Sequence, residues 1–304
     1  GTGNFTGDIT VPDEVYGAGW NGSFEVPTKN AVYDQIETLG GSTVAAANVS
    51  SGAFGANTGG GNYTFPGTIS ASQTTGSERF GASSSAGGTH STAFGSSANA
   101  ANIGANAIGY TANASANYTL AIGYAATAAA TGGQAIGYSS QGNGAYSLAY
   151  GYNAHADTSY AIAIGNGAAA NTATHTAAIG GSSVSTGYLS QAIGYGANAS
   201  ATGAHAIGYS AAASSNYAQA IGYDANAIGS YAQASGYRAK AFGTSDITIG
   251  RDAGYYTTVS GGSNVVIGYR ALFGTTSGSD AGTRNIAIGQ YALYNRDSGG
   301  VDNV

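Results

Sequence analysis

Apolar and polar positions alternate along most of this chain in a unit that repeats every 14 residues. The glycines of its Ile-Gly, Phe-Gly or equivalent dipeptides stand at Gly81, Gly95, Gly109, Gly123, Gly137, Gly151, Gly165, Gly180, Gly194, Gly208, Gly222, Gly236 and Gly250. Eleven of the twelve intervals are 14 residues and one, from Gly165 to Gly180, is 15. With the glycine as place 0, a large apolar residue fills place 13 (Ile108, Ile122, Ile136, Tyr150, Ile164, Ile193, Ile207, Ile221). Small residues recur at places 3 and 5, as in Ala112 and Ala114, Ala126 and Ala128, Ala154 and Ala156, Ala197 and Ala199, Ala211 and Ala213, and Ala225 and Ala227. Alternation of this kind is a strand period. No helical stripe survives the glycines, and a unit of 14 residues has no room for two helices. The pattern therefore predicts an all-β parallel solenoid, one coil per repeat with two short strands, and glycine at a corner that needs positive φ.

Such a coil is thin. One Ile and two or three Ala bury little apolar area against the entropy of ordering the coil. Ala at place 12 (Ala121, Ala135, Ala163, Ala192, Ala206, Ala220) neighbours the Ile, so on a strand the two face opposite ways. Both faces then call for cover, one inside the coil and one against a partner chain, which predicts an obligate oligomer.

The run A-I-G-x-x-A-x-A at residues 107–114 and 192–199 resembles the repeat of YadA-like heads in trimeric autotransporter adhesins. That resemblance covers residues 80–250 and implies a left-handed parallel β-roll, three copies of which form a homotrimeric head. The same repeat also occurs in bacteriophage tail fibres.

Before the repeats, residues 1–24 read as short strands and turns. Residues 25–40 hold one short helix, with Pro27 and Thr28 at its start, an apolar stripe of Val32, Ile36 and Leu39, and Gly40 and Gly41 at its stop. That stripe is expected around a threefold axis or against the preceding strands. Residues 41–79 form a transition, residues 80–250 the β-roll of twelve repeats, and residues 251–304 a set of longer-period β repeats that read as truncated. The phrase V-P-T-K-N-A-V-Y-D-Q-I-E at residues 26–37, preceded by residues 15–23, resembles linkers in tail-fibre proteins of tailed phages. The units N-V-V-I-G-Y-R-A-L-F (264–273) and N-I-A-I-G-Q-Y-A-L-Y (285–294) resemble longer repeats of phage and bacterial fibres.

Charge changes the functional picture by its scarcity. Only 7% of residues are charged, the net charge is -6, and no Lys or Arg lies between Arg79 and Arg238. Without a basic cluster the chain is not expected to bind nucleic acid. It has no Cys, which removes thiol catalysis and thiolate metal sites, and no apolar run long enough for a membrane helix. His90, His155, His175 and His205 fall at places 9, 4, 10 and 11, so they share no column. Asp157 and Asp224 are the only acids between the two arginines and lie about five coils apart, too far for a glycosidase pair. Neither enzymatic activity nor a cofactor is expected.

Tyrosine supplies the one functional lead. It recurs at place 1 (Tyr110, Tyr124, Tyr138, Tyr152, Tyr195, Tyr209, Tyr223, Tyr237) and at place 9 (Tyr118, Tyr146, Tyr160, Tyr217, Tyr231). Coils stacked about 4.8 Å apart turn each series into a ladder. Either the rings form a platform on which sugars stack, with Asn and Ser donating hydrogen bonds, or they seal subunit interfaces. The expected function is a structural and adhesive fibre component, a phage tail fibre attached to a virion with other fibre proteins and touching host-surface glycans or proteins. The alternative is an adhesin head on a bacterial surface.

Overall fold

The computed structural model describes residues 76–255, 261–274 and 282–294. The predicted helix of residues 25–40, the strands of 1–24 and most of the 41–79 transition lie outside these residues. The described chain is a parallel β-solenoid. Three-residue strands at places 11–13, from Glu78–Phe80 to Ile286–Ile288, pair into one fifteen-stranded parallel sheet. Two-residue strands at places 4–5 build the facing wall, four from Ser85–Ala86 to Thr127–Ala128 and five from Val184–Ser185 to Lys240–Ala241. Single bridges through Gln141, His155 and Ala169 join the two groups.

Register follows the period. Ala107 pairs Ala121 and Ile108 pairs Ile122, one repeat apart. Across the 15-residue interval Ala163 still pairs Ala178. The longer units keep the same ladder, because Thr248 pairs Val266 and Val266 pairs Ala287. Residues beyond 14 are thus taken up between strands, and the long sheet runs on through both longer repeats.

The structure assigns the strand faces. Ala at place 12 points inward and is fully buried throughout (Ala107, Ala121, Ala135, Ala149, Ala163, Ala192, Ala206, Ala220). Ile at place 13 points outward, with Ile108 38%, Ile221 43% and Ile249 42% exposed. The interior of each coil is therefore built without its large apolar residue. Four places, 3, 5, 10 and 12, point inward; 3, 5 and 12 hold mostly Ala, and place 10 mixes Ala with Ser and Thr. Place 10, represented by Ala105, Ala161, Ala204, Ala218 and Ala232, is the inward position that the sequence pattern had not singled out.

Buried hydroxyls are accommodated locally. Ser84, Ser140 and Ser183 at place 3 donate to the carbonyl of the place-0 glycine three residues back. Ser91, Thr119 and Ser190 at place 10 do the same to Gly88, Ala116 and Gly187. At these six positions a Ser or Thr fills an Ala site while bonding its own turn, which avoids the cost of an unpaired buried hydroxyl; Ser147 Oγ at place 10 makes no such bond.

Glycine at place 0 is dictated twice. At Gly123 φ is +128°, and a Cβ there would lie 2.4 Å from the carbonyl oxygen of Gly137 in the next coil. Backbones of successive corners touch, so neither the conformation nor the space admits a side chain. Non-glycine residues at places 2 and 9 also take left-handed φ, as at Ala125 (53°) and Tyr118 (58°), but a Cβ at those places meets side chains of the next coil, as Gly167 and Gly104 show with Ser182 Oγ and the Tyr118 ring. After residue 241 the inward column of place 10 turns polar, while Ala253, Val266, Ala271, Leu272 and Ala287 keep the rest apolar. Asp246 accepts bonds from the backbone N–H groups of Gly243 and Asn264 and from the Asn264 amide, and Asn264 Oδ1 accepts in turn from Asn285. A second change occurs at place 5, where Tyr255, Phe273 and Tyr294 replace Ala and stack at 6.1 and 5.3 Å.

Candidate functional site

The place-1 tyrosines stand on the outward side of the corner that follows the long strand. They form two stacked runs. Tyr110, Tyr124, Tyr138 and Tyr152 stack with centroids 5.4, 4.9 and 5.1 Å apart, and Tyr195, Tyr209, Tyr223 and Tyr237 with centroids 5.4, 5.0 and 5.0 Å apart. Asn166 and Gly181 take place 1 between the runs. The Tyr195 ring lies against Gly181, so that a Cβ on that glycine would be 3.1 Å from Cδ2. Tyr124, Tyr138, Tyr209 and Tyr223 have both faces covered by neighbouring rings, and the end rings of each run have one. What the ladder presents to solvent is a row of ring edges and hydroxyls, about half exposed, rather than open faces.

Place 9 behaves differently. Tyr146 stacks on Tyr160 at 5.6 Å and Tyr217 on Tyr231 at 5.2 Å, while Tyr118 leans over Gly104. His175 joins this column, 4.8 Å from Tyr160. Counting residues put His175 at place 10 and apart from the other histidines; the extra residue of its coil falls in the turn before it, which moves it into the column that His90 also occupies. The two are still six coils apart.

His155 and His205 remain outside that column, on the short and long strands respectively. His155 Nδ1 lies 3.5 Å from Asp157 Oδ2, and Asn143 Nδ2 donates to Asp157 Oδ1 at 2.8 Å. The other ring nitrogen faces Asn153 Oδ1 at 3.3 Å, so both nitrogens are engaged by groups that are not nucleophiles. Among the described residues no group of three His, Asp or Glu side chains could hold a metal ion, and no helix is long and apolar enough to cross a membrane.

The charged part of the solenoid is concentrated at its C-terminal end. Arg238, Asp252 and Arg270 occupy place 2 of successive coils, and Arg251 takes place 1 in line with the tyrosines. The Asp252 carboxylate is 3% exposed and is approached by the Nε atoms of Arg238, Arg251 and Arg270 at 3.3, 3.6 and 3.8 Å. Burial lowers the Arg238 pKa, but Asp252 and the hydroxyls of Tyr255 and Tyr237 outweigh it and raise it above the ordinary value. Lys240 Nζ and Arg238 Cζ lie 4.2 and 4.1 Å from the Tyr255 ring centroid. Residue spacing did not single out this cluster, because its charges come from three coils and become neighbours only through stacking. The signal available was the return of Lys and Arg after residue 237. The chain matches no known protein-family model, and no curated protein matches it significantly.

Proposed function

We propose that this chain is part of a homotrimeric fibre, most consistent with a bacteriophage tail fibre that mediates attachment to the host surface. The observation that carries the reading is the outward face of the long sheet. Phe80 and Phe94 (68% and 54% exposed) continue into the Ile column at place 13 and end at Ile288 (64% exposed), an apolar stripe along the sheet that is broken at Ser235. At place 11 on the same face Leu120, Leu148, Ile162, Ile247, Val265 and Ile286 add apolar positions between polar ones such as Asn106, Gln134, Gln191, Gln219 and Gln233. An exposed apolar strip of this length marks a protein interface, and an interior of alanines leaves the chain short of burial without it. Two further copies of the same chain cover it with matching period, since every coil meets an equivalent coil.

The fibre reading also draws on the resemblance of residues 15–37 and 264–294 to phage fibre segments. In it the tyrosine edges and neighbouring Asn side chains offer repeated weak contacts to surface glycans or proteins, multiplied across three chains. The adhesin head is the second reading, favoured by the 107–114 type repeat alone.

Sedimentation or light scattering tests the assembly. A mass of three times 29.6 kDa is expected, and Ile122→Asp with Ile207→Asp should dissociate it. A wild-type protein that is folded and monomeric refutes the reading. Adsorption of the purified protein to bacterial cells, with competition against the intact phage, tests the attachment role.

A further inference from the structure

We infer that the C-terminal end of the solenoid carries a binding site for an anionic group on a sugar, a carboxylate or a phosphate ester, centred on Arg251. The inference rests on the attachment reading for its biological ligand, though not for its chemistry. From Arg79 to Arg238 the solenoid holds no cation; within the next three coils stand Arg238, Lys240, Arg251 and Arg270. Among the described residues the same surface sets two carboxylates against these four cations, Asp224 and Asp252, because Asp246 faces inward and is used by Gly243 and Asn264. Asp252 is shared by three guanidiniums, and one carboxylate neutralises one of them. The cluster is left with an excess of positive charge in a setting that is otherwise almost uncharged.

The geometry leaves the donors of Arg251 available. Its Cζ lies 5.6 Å from the Tyr237 centroid and 5.7 Å from that of Tyr269, so it takes the position between two tyrosines that a ring takes elsewhere in the ladder. Rings on either side hold the guanidinium, whereas its N–H donors lie in its own plane and point outward from its rim. Among the described residues its acidic partner is Asp252, reached through Nε at 3.6 Å, and 64% of its side chain is exposed. Arg270 approaches the same carboxylate with 35% of its side chain exposed, and its Cζ lies 5.1 Å from the Phe273 centroid. A planar fork held between rings, with a second guanidinium beside it, suits the paired oxygens of a carboxylate or phosphate. The Tyr237 and Tyr269 rings on either side suit a sugar more than a bare ion. A nucleic acid would need a longer basic track than these coils supply.

The test uses the full-length assembled protein on three immobilised polymers: neutral dextran, carboxylated polygalacturonate and phosphomannan. Retention on one or both anionic polymers but not on dextran is expected, it should weaken as salt rises, and the retaining polymer identifies the anion. Arg251→Gln with Arg270→Gln should cut that retention by about tenfold or more, while Arg79→Gln, on the first strand, should leave it unchanged. Equal retention on dextran, or an unaffected double variant, overturns the site. So does loss of the oligomeric mass in the double variant, since the cluster would then serve a contact between subunits. Cell adsorption separates the two readings. Adsorption that the double variant leaves intact overturns this site and spares the attachment role; polymer retention without adsorption to any cell does the reverse.

Discussion

Replacing Gly123 with alanine tests the backbone contact on which the stack depends. At φ +128° an L-residue is strained by about 1 to 3 kcal/mol. The new Cβ would sit 2.4 Å from Gly137 O and 2.7 Å from Gly137 C, atoms of the next coil's main chain that have no rotamer to change. Relief means moving that corner outward by about 1 Å, which strains the 2.8 Å bond from Gly137 N–H to Ile122 O. Together these effects amount to a loss of about 3 to 5 kcal/mol, after allowing for the smaller entropy of alanine in the unfolded chain. Two residues on, Ala125 has φ 53° and an equally left-handed backbone, but glycine there relieves strain. Ala125→Gly is expected to be neutral or to stabilise by about 1 kcal/mol. Urea midpoints and amide exchange at residues 123 and 137 read both variants. Contact between neighbours alone means the damage should centre on the coils around Gly123. If Gly123→Ala unfolds and exchanges like the wild type, close approach does not dictate the glycine column.

Two further perturbations probe the interior and the ladder. Burial raises the Asp246 pKa above its ordinary 3.8, against the hydrogen bonds from Asn264 and Gly243 that lower it. A raised folded-state pKa means its contribution is fully present below 3.8 and is lost as pH rises through the folded value. The wild type should therefore gain stability relative to Asp246→Asn as pH falls from about 7 to about 4 in paired thermal melts; a constant or opposite difference would contradict this. Tyr124→Ala removes two stacked neighbours, Tyr110 and Tyr138, and should cost about 1 to 2 kcal/mol in urea denaturation. Tyr152→Ala removes one, Tyr138, and should cost about half as much; equal losses would show that ring stacking contributes little.

The sequence by itself determined the period, the parallel strand pairing and the corner. A strict 14-residue spacing admits one stacked arrangement, and a glycine in every corner announces a main chain that side chains cannot enter. It also determined the two tyrosine columns, since equal places in successive repeats become neighbours once coils stack. Which face of the strand lies inside was decided only by the tertiary structure. Hydrophobicity ranks Ile above Ala for burial, but in the 14-residue coils the touching glycine corners and the short turns set an interior filled by small side chains, chiefly Ala, Ser and Thr, and that width is a property of the closed coil. The same holds for place 10, whose Ala, Ser, Thr and Gly look like ordinary turn residues until the coil closes over them. Stacking also decided that His175 belongs with the place-9 rings, that neighbouring tyrosines cover one another's faces, and that three arginines from separate coils meet at Asp252. Each of these depends on distances between coils, which a linear pattern does not contain.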